Sequence, residues 1–405
     1  MSTVLPFAAC YTPDSATAAR VSSLPYDVMN REEAAKMAEG NPDNFLRVTR
    51  SEIELPATTD AYSPAVYEQA AKNWQRLKSE VLAKDTKPCY YVYSLVMDGR
   101  TQTGVVATVT VDEYDRGIVR RHEKTRKEKE DDRTRHITAL RAQTGPVFLT
   151  CRDSKPLADL IAKTTANAPL FSFTADDGIQ HTGWRVPAED NQALAQAFQD
   201  IPILYIADGH HRAASASRTF HALQDAGKPL GEADRFQAVI FPAGQLKILA
   251  YNRLLFNLNG LTPQQFLDKL GQLCPVTKGA APVPTVPATV SLYLGGEWYG
   301  VDFRSFHPAS AIDRLDVSLL QDLVLRPMLG IEDPRTSKSI DFVGGIRGTA
   351  ELERRVDSGE AVAAFSMYPT TLDQLMEIAD ENGIMPPKST WFEPKLRDGL
   401  FVHEI

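Results

Sequence analysis

Apolar positions along the chain recur with two periods, and each marks a different kind of element. Val66, Ala70, Trp74, Leu77 and Val81 fall at helical spacing behind Ser63-Pro64, a cap residue followed by proline at the first helical position. That spacing makes the aromatics core packing rather than a cofactor box. Asn30 with Glu33 is a capping-box pattern and Gly40 supplies a stop, so a second helix is predicted over 30–40. Alternating or continuous apolar runs mark strands. Residues 89–96 and 103–111 flank Asp98-Gly99, a tight-turn dipeptide, and read as a hairpin. Residues 44–48, after the Asn41-Pro42 turn, and 146–150 are also strand-like. Ile203-Leu204-Tyr205-Ile206-Ala207 is short and wholly apolar, as expected of a strand covered on both faces. A helix with Ala216, Phe220 and Leu223 on one face follows it. Residues 236–241 and 246–251 read as another hairpin, around Pro242-Ala243-Gly244.

Beyond Tyr251 the character changes. Thr262-Pro263 opens a helix, Pro282, Pro284 and Pro287 mark an extended linker or edge, and Gly295-Gly296 turns a hairpin. Helical stretches are predicted near 317–325 and 372–379, and a strand over 340–343. Strands and helices mix along the whole length, so the fold class is α+β (mixed α/β), with domains expected over 1–255 and 256–405.

Composition adds exclusions. The 405 residues exceed the span of one ordinary domain, and no apolar run approaches the roughly 18–20 residues of a membrane helix. The opening residues carry no basic segment before their short apolar stretch, so no signal peptide is expected and the protein is placed in the cytoplasm. Cys10, Cys89, Cys151 and Cys274 are far apart, which predicts buried, reduced thiols and no metal-binding cysteine pair. A net charge of -8 argues against nucleic acid as a partner.

Candidate chemistry gathers at two places. The buried strand ends in Asp208-Gly209-His210-His211-Arg212 and runs straight into a helix, so backbone N–H groups at the positive end of the helix dipole offer an anion site. Gly209 permits the tight turn. Arg212 has a planar fork suited to phosphate, at a helix start where the dipole gives a cation no benefit. His210 and His211 donate to phosphate or move protons near neutral pH, but adjacent histidines diverge and do not jointly chelate a metal. The bland alternative is a helix capped by Asp208 with two exposed histidines. The second place is the run from Arg116 to His136, with nine Arg/Lys and five Asp/Glu in twenty-one residues. Within it stands His122-Glu123-Lys124: a candidate general base beside a candidate phosphate contact. Such a run is otherwise a solvated helix face, and local spacing does not say whether the two places meet.

Taken together, Pro25-Tyr26-Asp27-Val28, Asn41-Pro42 with Asn44-Phe45-Leu46, the run from Arg121-His122-Glu123-Lys124-Thr125 to Arg133, Tyr205 to Arg212, and the stretch Met385 to Lys395 resemble the bacterial and archaeal family catalogued as domain of unknown function 1015. The turn at 208–212 is also distantly similar to that of the ParB/sulfiredoxin superfamily, which contains CTP-binding partition proteins, sulfiredoxins and kinases acting on free serine. This likeness implies a ParB/sulfiredoxin-like phosphate-binding core with an added C-terminal α/β region. Carried over by position, it puts Asp208, Gly209, His211 and Arg212 on the nucleotide phosphates and makes Glu123 the base toward the acceptor; with the local reading added, Gly209, His210, His211, Arg212 and Lys124 are the expected phosphate contacts and Glu123, Asp208 and His122 the expected catalytic group. ATP or ADP is the implied donor, Mg²⁺ the implied cation and a small polar metabolite such as serine the implied acceptor. Sulfinic-acid chemistry is not implied, since the turn has no cysteine. Tyr26, Asp27, Asn41 and Asn44 are weaker substrate-binding candidates, no protein metal site is expected, and Lys388 and Lys395 are further basic candidates. A nucleotide-binding switch without turnover and a phosphoserine-type phosphatase are the competing functions. The oligomeric state is left open.

Overall fold

The computed structural model describes residues 2–405. It is a mixed α/β protein, as the sequence pattern predicts. Where the sequence suggests one cut at 255, the chain packs as two units: Met1–Leu246 joined by the returning Pro394–Ile405, and Lys247–Glu393.

A nine-stranded mixed sheet organises the first unit. Its strands in chain order are β1 (Val4–Leu5), β2 (Tyr91–Met97), β3 (Arg100–Thr110), β4 (Val119–Arg120), β5 (Val147–Cys151), β6 (Phe171–Thr174), β7 (Gln180–Arg185), β8 (Leu204–Asp208) and β9 (Arg235–Pro242). Across the sheet the order is β4-β8-β5-β9-β3-β2-β7-β6, with β1 beside β3. The β2–β3 hairpin forms as predicted: Asp98 and Gly99 both adopt positive φ (51° and 75°), the geometry that matches strand twist. β8 is buried from Leu204 to Ala207.

Three helices matter to the site. α1 (Pro64–Glu80) buries Val66, Ala70, Trp74 and Leu77, the predicted stripe. α2 (Lys127–Leu140) lies largely within the charged run; it turns Asp132, His136, Ile137 and Leu140 inward and leaves Lys127, Glu128 and Arg135 exposed. α3 (His210–Asp225) buries Ala213 and Ala216 against Leu204 and Ile206 in the main core. Arg218 on α3 bridges to Glu130 (3.1 Å) and Asp131 (2.5 Å) on α2, which holds the two helices together.

Two expected elements do not form. Residues 44–48 are a helical turn, Leu46–Thr49, rather than a strand. The Asn44 carboxamide accepts the Leu46 N–H (3.0 Å) and Asn41 accepts that of Asp43 (3.1 Å), and these local bonds curl the backbone. β9 does not hairpin onto residues 246–251. It pairs with β3 and β5 instead, because those strands offer it a fully buried slot.

The second unit has a six-stranded antiparallel sheet in the order Val276–Lys278, Glu297–Asp302, Thr289–Leu294, Ala363–Met367, Tyr251–Leu255, Ile340–Gly344. The hairpin at Gly295-Gly296 and the helices Pro263–Leu273 and Leu372–Asp380 fall where the sequence puts them. All four cysteines are buried and unpaired. Among the described residues, no helix is long and apolar enough to cross a membrane.

Candidate functional site

The two polar clusters meet because β4 and β8 are parallel neighbours. Val119 is in register with Leu204 and Arg120 with Tyr205, so the segments leaving both strands emerge side by side. A register shift between Ile206 and Asp208 on the β5 side marks a bulge just before the turn, a feature that re-aims side chains at a strand end. The rings of His122 and His210 then meet edge to face, with centroids 4.5 Å apart and planes at 90°. The His122 N–H points to His210 Nε2 at 3.5 Å, and the Arg126 N–H donates to His211 Nε2 at 3.0 Å. Glu123 joins the two buried histidines: one ligating atom from each of His122, Glu123 and His210 lies within 4.8 Å of the others. Glu123 and Lys124 are exposed.

Gly209, not Asp208, occupies the position before α3. Its φ of +92° is left-handed, and a Cβ there would lie 2.9 Å from Arg212 Nε. Both the backbone and the space therefore call for glycine. Arg212 is buried and turned inward. One guanidinium nitrogen bonds the Pro146 carbonyl and another reaches Asp208 Oδ2 at 3.1 Å, while Nε has no hydrogen-bond partner.

Charge is tightly managed. Burial alone would raise the Asp208 carboxyl, but Lys395, whose Nζ is 3.9 Å away, Arg212, His210 and the Gly209 amide hold it down at about 2. Burial pushes His122 down to about 4 against the opposing pull of Asp208 and the Ile206 backbone, and drives His210 well below its ordinary value with help from His122. Both rings are neutral at pH 7. Burial also opposes the Arg212 charge, yet Asp208, Asp27 and Asp398 outweigh it and raise its pKa.

Behind the turn, Tyr26, Arg133, His136, Gln143, Arg212 and Asp398 line a cavity of about 30 Å³, room for a water but not for a nucleotide. Tyr26 is buried with its ring 4.2 Å from the Arg133 guanidinium, and Asp27 is exposed. Asn41 and Asn44 spend their carboxamides locally: Asn41 on Arg20 (2.8 Å) and Asp43, Asn44 on Met37 (3.4 Å) and Leu46. Lys388 lies in the second unit, over the Tyr251 ring at 5.1 Å. Asp398 was not foreseen. It is 1% exposed, with one carboxylate oxygen unpartnered and its pKa raised to about 7, chiefly by burial. No local pattern announces it, since it reaches the turn from the far end of the sequence.

The chain belongs to the family described as protein of unknown function DUF1015, whose profile matches residues 4–318. The matching stretch at 385–395 noted in the sequence lies outside that span. No curated protein matches the chain. Solved structures show a loose similarity: a free serine kinase in complex with AMP, at 14% identity over 73% of this chain and 92% of that one, TM-score 0.36; a conserved hypothetical protein from Pyrococcus furiosus, at 15% over 72% and 93%, TM-score 0.35; and SbnI with a C-terminal truncation from Staphylococcus aureus, at 11% over 72% and 84%, TM-score 0.39.

Proposed function

We propose that the protein is a nucleotide-dependent phosphotransferase acting on a small hydroxyl metabolite such as free serine, built on a ParB/sulfiredoxin-like core and working in the cytoplasm. The observation that carries this reading is the convergence of His122-Glu123 with His210 beside the glycine turn. Phosphoryl transfer asks chiefly for positioning and charge neutralisation. First-turn amides of α3 over Gly209, with His210, His211 and the exposed Lys124, supply an anion seat. Arg212 serves that seat by bracing Asp208 beneath it. Glu123 takes the hydroxyl proton as base, with the neutral His122 ring packed behind it; Asp208 is the other carboxylate at hand. Tyr26 and Asp27 would bound the acceptor, with Asn41 and Asn44 as weaker contacts. Mg²⁺, if used, would be met by Glu123 together with phosphate oxygens and would neutralise charge there.

The competing reading, a nucleotide-binding switch without turnover, has one observation in its favour. Asp208 is already engaged by Arg212 and Lys395, which leaves a single carboxylate for base chemistry. Thermal-shift titration separates the two. ATP or ADP together with serine should stabilise the protein more than the sum of each alone; stabilisation by nucleotide only would favour the switch. Release of phosphate from phosphoserine without nucleotide would instead make it a phosphatase. Glu123→Gln should abolish turnover, and retained turnover would remove Glu123 as base.

A further inference from the structure

We infer that His122, His210 and Glu123 form a binding site for a divalent first-row transition-metal ion of the zinc or iron(II) type. Two imidazoles and one carboxylate present ligating atoms within 4.8 Å of one another, close enough for one ion to draw them in. His122 and Glu123 lie two and three residues past β4 and His210 two residues past β8, and the pairing of those strands brings the three together. His122 gives the independent sign. It is 2% exposed, the Ile206 backbone lies within reach of the ring, and neither ring nitrogen makes a hydrogen bond of good geometry. Leaving a buried polar group unsatisfied costs about 1–3 kcal/mol, and an ion bound through the ring would relieve that cost. An edge-to-face histidine pair in a dry core explains the ring packing at 4.5 Å but not the unsatisfied nitrogens. Glu123, exposed, lies on the open side, so the site keeps positions for water or an incoming ligand, as catalytic rather than structural sites do. A nitrogen-rich set also selects against Mg²⁺, which takes oxygen ligands.

The site goes beyond the phosphotransfer reading and does not depend on it. One carboxylate oxygen of Glu123 enters the ligand set, which leaves the other for the acceptor hydroxyl. The probe is Co²⁺ added to the full chain after removal of bound metal by a chelator, with no nucleotide present. Expected is a visible absorption band that saturates at one Co²⁺ per chain, is abolished by Zn²⁺ and survives excess Mg²⁺. Glu123→Gln, His210→Asn and His122→Asn should each weaken Co²⁺ binding by more than about tenfold, the scale reached by losing even an outer partner of a metal ligand. His221→Asn, a histidine held by Asp115 outside the trio, should leave it unchanged. Buried histidine variants that lose their circular dichroism are set aside, because the exposed Glu123→Gln decides the matter alone. Unaltered Co²⁺ affinity in Glu123→Gln, or displacement by Mg²⁺, overturns the assignment. Failure here would leave synergistic stabilisation by nucleotide and serine untouched, and the reverse holds as well.

Discussion

At Gly209 and Asp398 single residues carry consequences that can be measured. A side chain at Gly209 would meet a left-handed backbone, a cost of roughly 1–2 kcal/mol, and would press on Arg212 Nε as well. Gly209→Ala should therefore lower stability by at least that amount in urea denaturation, and should weaken any nucleotide-dependent thermal shift further, because the amides of the turn move with it. An unchanged midpoint would mean that the turn tolerates the strain. Asp398 behaves differently, since its trouble is charge. Burial raises its carboxyl to about 7, against the pull of Arg212, with Asp27 adding to the rise. The unfolded chain has an ordinary aspartate near 3.9. Between those values the folded state holds a proton that the unfolded state has lost, so this residue makes stability fall as pH climbs from about 4 to 7, and then no further. Asp398→Asn removes the dependence. Its stability relative to wild type should improve steadily across that window and level off above it, as followed by denaturation at pH 5, 6, 7 and 8. A difference that does not vary with pH would show that Asp398 titrates normally.

Elements were legible where their signals are local. The stripe on α1 needed only periodicity, and its centre makes a sharp prediction. Trp74 is fully buried and meets Phe45 edge-on at 6.4 Å, so Trp74→Ala should cost about 3–5 kcal/mol in chemical denaturation; a loss below about 1 kcal/mol would mean that the core closes over the gap. The box at Asn30 and Glu33 formed as its side chains dictate, and so did the Asp98-Gly99 turn. The misreadings have a common cause, which is competition from partners that periodicity does not see. Residues 44–48 have strand-like side chains, but Asn41 and Asn44 bond nearby amides first. β9 had a neighbour downstream in sequence and took two upstream in space. The candidate site was legible as two separate motifs only. Their meeting depends on the β4–β8 register, and the inward turn of Arg212 depends on the Pro146 carbonyl; neither distant partner leaves a mark near residue 212. Asp398 and Lys395 arrive from the last dozen residues for the same reason.

That late return governs how the first unit holds together. The first unit is not finished at Leu246: Phe401–Glu404 pairs with Cys10–Tyr11 on one side and Ala142–Gln143 on the other. Leu396, Leu400, Phe401 and Val402 are all buried. At about 1.5–3 kcal/mol for each apolar side chain, their removal would forfeit on the order of 6–12 kcal/mol, as much as a typical domain's entire margin of about 5–15 kcal/mol. Polar anchors would go too, including His403 between Gln143 (3.1 Å) and Glu232 (2.9 Å), Glu404 on Lys78 (2.7 Å), and Lys395 beside Asp208. Truncation after Glu393 should consequently abolish cooperative unfolding of the first unit and expose its central sheet to limited proteolysis, with near-ultraviolet dichroism lost. A truncated chain that still unfolds in one sharp transition, with nucleotide-dependent shifts intact, would mean that the sheet and the glycine turn stand without their closing strand. The burial of Val402 and Asp398 argues that they do not.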